Sequence, residues 1–180
     1  MSFQEQQKSV ATGMAIGALA AAAVICYGIF YNPFHFSTEI TAVGRFEVAL
    51  KSSLLLAFCL AFSIGRVAKH RFFTPEDIDG AGLTTASARA KYLQAILQNT
   101  LEQVILAVTV YVAWASLMPG NWLSVIPVAA LAFLIGRFLF FGTYKDGPSA
   151  RAIGFTLSFY VSVGMLLVIT ACELKAWLWG

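Results

Sequence analysis

Charge is what this chain has least of. Aspartate, glutamate, lysine and arginine make up 12% of its 180 residues, about half of what a soluble domain carries. Hydrophobic residues make up 59%, and apolar stretches of roughly 20 residues recur along the whole length, which excludes a soluble globular domain. Metal-binding side chains are equally scarce. There is no C-x-x-C among the three cysteines, Cys26, Cys59 and Cys172, which argues against a zinc ribbon or a thioredoxin-like motif. Each lies in or beside an apolar run, where a thiol serves as a small buried hydrophobe. The two histidines, His35 and His70, fall in loops assigned below to opposite faces, so they cannot clamp one haem. The net charge of +3 comes from loop lysines and arginines and does not point to nucleic acid. An internal repeat is not evident, and one polar cluster gives no continuous path for a transporter.

What is present is a series of five apolar segments, at about residues 11–31, 46–67, 86–117, 122–142 and 152–178. Backbone amides in lipid must bond within their own segment, so each is expected to be a helix. Breakers fall in the gaps: Asn32-Pro33, Pro75 with Gly80 and Gly82, Pro119-Gly120 and Gly147-Pro148. Pro127 falls inside the fourth segment, where a bend is expected. The first segment is long for a cleaved signal and is read as a retained helix.

The bases then set an expected orientation. With the amino terminus cytoplasmic, one face collects Lys8, Arg66, Lys69, Arg71, Arg89, Lys91, Arg137, Lys145 and Arg151. The other collects only Arg45, Lys51 and Lys175. Cytoplasmic loops carry the excess of bases, so the amino terminus and the loops at residues 66–91 and 143–151 are expected inside. Trp114, Trp122, Trp177 and Trp179 would then form a belt at the outer boundary. Glu47 and Lys51 read as an i,i+4 pair, and Arg45 as an interface anchor.

The stretch QNTLEQ, residues 98–103, carries amides and a carboxylate into the third segment. About 20 residues back from Leu117 reaches Gln98, so Glu102 is expected about one turn below the inner surface. Lys91, Gln94, Gln98, Asn99 and Glu102 share a sector of roughly 140° at 100° per residue. A carboxylate there needs a cationic or hydrogen-bonded partner. Arg137, about 22 Å along the fourth helix, is at the right depth. Tyr144 follows two turns later, and Arg151 opens the fifth helix. Two readings fit these residues: a polar zipper in which Glu102 pairs with Arg137, or an anionic-ligand site whose guanidinium groups hold carboxylates and stabilise a thiolate.

Three stretches resemble the MAPEG family, the membrane-associated proteins in eicosanoid and glutathione metabolism. The loop RFFTPEDIDGAG is similar to a family Phe-x-x-Pro-Glu-Asp loop, NTLEQ to its Asn-x-x-Glu, and GRFLFFGTYKDGPSARAIGF to its Gly-Arg, a Tyr seven residues later and a further Arg opening the last helix. The resemblance spans residues 46 to the carboxy end. It implies an all-α polytopic membrane bundle with a four-helix core at residues 46–180, and residues 1–45 as an additional transmembrane helix and outer loop. It also implies a homotrimer with glutathione held near the cytoplasmic side between subunits. Carried over by residue, Asn99, Glu102, Arg137 and Tyr144 are the implied glutathione contacts, Glu102 receiving the amino group. Arg151 is the implied catalytic residue, stabilising the thiolate; no metal is implied. The pattern departs from the family at Ala95, where glutathione-using branches carry an arginine, at Phe155 in place of an aromatic hydroxyl, and at Val104 and Ile105 in place of a proline.

Two functions follow as expectations. One is a glutathione-dependent transferase or peroxidase acting on a lipophilic electrophile from the membrane lipids of a bacterial inner membrane. The other is a non-catalytic scaffold, lipid-binding protein or accessory subunit, favoured by Ala95 and the additional helix.

Overall fold

The computed structural model describes residues 2–80, 83 and 85–179. Gly82, one of the breakers named above, lies outside the described residues. Among the described residues the chain is an all-helical bundle with five helices long and apolar enough to cross a membrane and no strand.

Helix α1 spans Phe3–Cys26 and runs on through a π turn, Tyr27–Tyr31. It begins well before its apolar run because Ser2 caps it: Glu5 N–H donates to Ser2 Oγ at 3.3 Å, and Ser2 N–H donates to the Glu5 carboxylate at 2.7 Å. Asn32, left-handed at φ 44°, ends it. The Asn32 side chain then clasps the following turn through both Phe36 backbone groups and accepts from Ser124 Oγ. Helix α2, Ala42–Phe73, starts at a Thr41 cap and stops one residue short of Pro75. Helix α3, Ala88–Leu117, starts at a Ser87 cap. Helix α4 is Val125–Thr143 and α5 is Pro148–Trp179. Pro127 lies in the first turn of α4, where a missing N–H costs no helical hydrogen bond, so the expected bend has no cause there.

Three side chains sit differently from the sequence expectation. Trp114 is 0% exposed at the heart of the core, its indole N–H donating to the Trp122 carbonyl at 3.0 Å, whereas Trp177 remains 81% exposed. Arg45 is no lipid anchor: its Nη1 donates to the Ala115 and Met118 carbonyls at 3.0 and 2.8 Å, closing the last turn of α3. Cys26 is exposed on α1, unlike the buried Cys59. The Lys51–Glu47 pair forms as expected, at 2.8 Å.

Helix α5 packs through small residues on two sides. Against α4, a side chain on Gly154 would run into the Phe140 backbone, and one on Gly136 would come within 2.9 Å of the Gly154 carbonyl. Against α1, the buried residues Gly13, Gly17, Ala21 and Ile25 recur every fourth position. Gly13 faces Ala152, Gly17 faces Thr156 and Ile25 faces Gly164, a constant register that makes the two helices parallel neighbours. Small residues at this spacing let backbones approach closely in lipid. Thr156 Oγ1 completes the seam by donating to the Gly13 carbonyl at 3.2 Å. The first helix therefore packs on its own chain.

The loop joining α2 to α3 is closed by Asp77, which the Phe-x-x-Pro-Glu-Asp stretch supplies. Its carboxylate accepts from Ser87 N–H at 2.9 Å, from Ser87 Oγ and from His70 Nε2 at 2.8 Å. The Ser87 bonds first, and His70 after them, hold this carboxyl below its ordinary value.

Candidate functional site

The end of the bundle that carries Arg151 opens into a cavity of about 580 Å³ between α1, α3 and α5. Of the residues singled out from the sequence, Asn99, Glu102, Tyr144 and Arg151 line it, with Ala95 and Gln98 beside them. Val10 and Met14 of α1 and Phe155, Phe159 and Tyr160 of α5 complete the apolar wall.

Arg137 is placed differently. It is 0% exposed and does not line the cavity; it stands behind it. Its Nη1 donates to Asn99 Oδ1 at 2.8 Å and its Nη2 to Ser158 Oγ at 2.9 Å. The Ser158 hydroxyl in turn donates to Gln103 Oε1 at 2.6 Å. The Phe140 ring covers the guanidinium, centroid 4.4 Å from Cζ. This relay fixes the Asn99 amide: with Oδ1 held by Arg137, its NH₂ is the group left to serve the cavity. Arg137 Nε and Gln103 Nε2 are buried with no partner, so the relay is held at some cost in desolvation. The expected Glu102–Arg137 pair is not what forms. Glu102 is exposed and accepts from Gln98 Nε2 at 2.9 Å, one turn back on α3.

Arg151 has a different setting. It is half-buried in the first turn of α5, and its guanidinium lies 4.5 Å from the centroid of Tyr144. Tyr144 is itself wedged edge-on between Phe140 and Tyr92. The stack keeps a cation at the cavity mouth without neutralising it. Behind Ala95 and Gln98 a smaller cavity of about 290 Å³ holds Arg71 and Lys91, with Arg71 donating to Gln94 Oε1 at 3.4 Å.

Ser158, Gln103, Arg71 and the α1 wall are absent from the sequence reading of the site. Ser158 carried a signal, being a hydroxyl two turns beyond Arg151 on the same side of an apolar helix. Gly13 and Gly17, a small-x-x-x-small pair, carried one for α1. Arg71 had none, because it reaches the site from another helix.

The cavity holds a carboxylate, a fixed amide donor and an uncompensated guanidinium, and it opens on an apolar wall. That combination, on five apolar helices, defines an integral membrane protein with a polar site at one end of the bundle. The family profile described as MAPEG family matches residues 48–171. The chain belongs to the MAPEG family, and α1 lies outside the matched region. Neither the curated proteins nor the solved structures contain a significant match to it.

Proposed function

We propose that the cavity binds glutathione and that its thiolate attacks a lipophilic electrophile drawn from the bilayer, either forming the conjugate as a transferase or, as a peroxidase, reducing a hydroperoxide to the alcohol while a second glutathione takes the first to the disulfide and water is released. The observation that carries this reading is the Arg151 guanidinium, stacked on Tyr144 and free of any carboxylate partner among the described residues, at the mouth of a cavity that also holds Glu102. A guanidinium beside a thiol favours the thiolate, which is the nucleophile. Glu102 suits the ammonium group of the peptide, and the Asn99 NH₂ suits one of its carboxyl oxygens. Arg137 acts in this reading by orienting Asn99. The cation missing at Ala95 has a substitute in Arg71 and Lys91, which stand in the adjoining cavity.

The same reading places this basic end, with the amino terminus, on the cytoplasmic side of a bacterial inner membrane, because nine of the twelve bases gather there. The homotrimer rests on the family likeness alone; cross-linking in native membranes tests it.

Ala95, on the cavity wall, favours the second reading, a non-catalytic scaffold or lipid-binding protein. Calorimetry of the purified protein with glutathione separates the two. Binding heat, a thiolate absorption on mixing, and conjugation of a chlorodinitrobenzene with release of chloride are expected. In Arg151→Ala the thiolate absorption and the conjugation should fall by at least about a hundredfold, the scale of losing one charge-stabilising group. No heat from the intact protein would leave the scaffold reading standing.

A further inference from the structure

A second basic site lies on the far side of α3. Arg66, Lys69, His70 and Phe73 recur at steps of three and four near the end of α2, so they stack on one face of that helix. With Arg89 and Leu93 of α3 they line a cavity of about 370 Å³ at the same end of the bundle as Arg151. This cavity shares no residue with the one that holds Glu102. At 100° per residue, Arg89 and Leu93 point roughly opposite to Gln98 and Glu102. The two cavities therefore stand on opposite sides of α3.

The charge at this second cavity is unbalanced. Arg66, Lys69 and Arg89 come from two helices, and no carboxylate lines the space they share. Among the described residues none of the three forms an ion pair. The Asp77 carboxylate is taken up by His70 and Ser87. His70 keeps both ring nitrogens for neighbours in the loop, Nδ1 lying 3.3 Å from Thr74 Oγ1 and Nε2 2.8 Å from Asp77. The Arg66 guanidinium is steadied by two rings, its Cζ 5.8 Å from the centroid of Phe62 and 5.9 Å from that of Phe141. Like charges gathered in this way repel one another, and a bound anion relieves them.

The position of the cavity points to where that anion comes from. Helix α2 has 32 residues and is about 48 Å long, against a hydrocarbon core of roughly 30 Å. Between Lys51 and Arg66 it carries no charge. That stretch belongs in the core, which leaves the turns from Arg66 to Phe73 at the level of the headgroups. Phe72 and Phe73 are both largely exposed there, where aromatic rings favour the membrane boundary. A soluble phosphate would use the cations and leave the rings in water; a phospholipid uses both.

We propose that this cavity binds one anionic phospholipid molecule, its phosphate oxygens on Arg66, Lys69 and Arg89 and its glycerol end against Phe73. Guanidinium and ammonium groups are the donors that match phosphate oxygens. The site is separate from the glutathione reading and stands without it.

The whole protein, reconstituted in nanodiscs of equal phosphatidylcholine and phosphatidylglycerol and then released into detergent, provides the test. The lipid that stays bound is counted by native mass spectrometry. One phosphatidylglycerol per chain should be retained, favoured at least about tenfold over phosphatidylcholine, whose phosphate is offset by its choline. Lys69→Gln and Arg89→Gln, both at exposed positions, should each lower this retention about fivefold, the scale of one base beside an anionic lipid surface. Lys8→Gln removes one base at the same end but away from the cavity, and should change nothing. Inorganic phosphate in large excess should not displace the lipid. Equal retention of the two lipids, or a loss in Lys8→Gln as large as in Lys69→Gln, would reduce the effect to diffuse attraction and overturn the proposal. Displacement by inorganic phosphate would overturn it too, assigning the cavity to a soluble anion. Glutathione is absent from every arm, so neither outcome bears on the Arg151 cavity.

Discussion

Arg137 and Arg151 stand fourteen residues apart at the same end of the bundle, yet they do opposite work. Arg137 lies where α4 and α5 touch through Gly136 and Gly154, so three helices seal it and its charge is spent on Asn99 and Ser158. Arg151 lies where α4 has already ended, half-buried at the cavity with its guanidinium over the Tyr144 ring. Equal depth does not give equal function. A buried guanidinium with neutral partners positions its neighbours, and a stacked guanidinium at a cavity mouth keeps its field for a ligand.

The sharpest way to break this comparison is to truncate both. Arg137→Ala removes two charge-assisted hydrogen bonds and leaves a cavity, so a loss on the order of 3–5 kcal/mol is expected. Arg151→Ala loses a ring contact at a half-exposed site, worth about 1 kcal/mol or less. Thermal unfolding of the two variants in one detergent should show a large drop for the first and a small one for the second. Similar drops would mean that Arg151 is also structural, and the assignment of roles would fail.

A smaller effect is expected where α1 meets α5. A Gly17→Ala side chain would collide with Thr156, and overpacking of this kind costs about 1–3 kcal/mol. The clash displaces α1 sideways and leaves the α3–α4–α5 relay untouched. The outcome to look for is a moderate loss of thermal stability with the Arg137 cluster intact. Unchanged stability would mean that α1 does not hold its place through this seam.

The spans were legible because lipid demands long apolar helices. Their starts were not, since Ser2 and Thr41 set them through capping and hydropathy cannot see a cap. The direction in which side chains face was the weakest part. Lipid is as apolar as a protein core, so a hydrophobic residue on a membrane helix gives no sign of which side it faces. Trp114 and Cys26 were therefore misplaced, and the α1 seam was missed although its glycines were in view. For the site, depth counting brought Asn99, Glu102, Tyr144 and Arg151 to one cavity. It could not tell that Arg137 points away from Glu102, because that depends on the rotation of α4, which Gly136 and Gly154 fix.

The mildest test concerns a third polar cluster, in the α2–α3 loop, where a buried charge is again held by its neighbours. Asp77 ties Ser87 at the start of α3 to His70 near the end of α2, and these bonds hold its carboxyl below the ordinary value of 3.8. A depressed carboxyl contributes stability that is fully present above its unfolded value, begins to fade as pH drops below it, and is gone once pH passes the lowered folded value. The clasp should therefore hold unchanged from neutral pH to about pH 4 and loosen only in stronger acid. Asp77→Asn keeps the acceptor for Ser87 N–H and removes the titration. Amide exchange at Ser87 and Ala90, followed against pH, should accelerate below that point in the unaltered protein and stay flat in the variant. The bundle itself should not unfold in either, because the Arg137 relay contains no carboxylate. Identical acid profiles in the two proteins would show that the α2–α3 junction is held by its helix packing and that Asp77 is incidental to it.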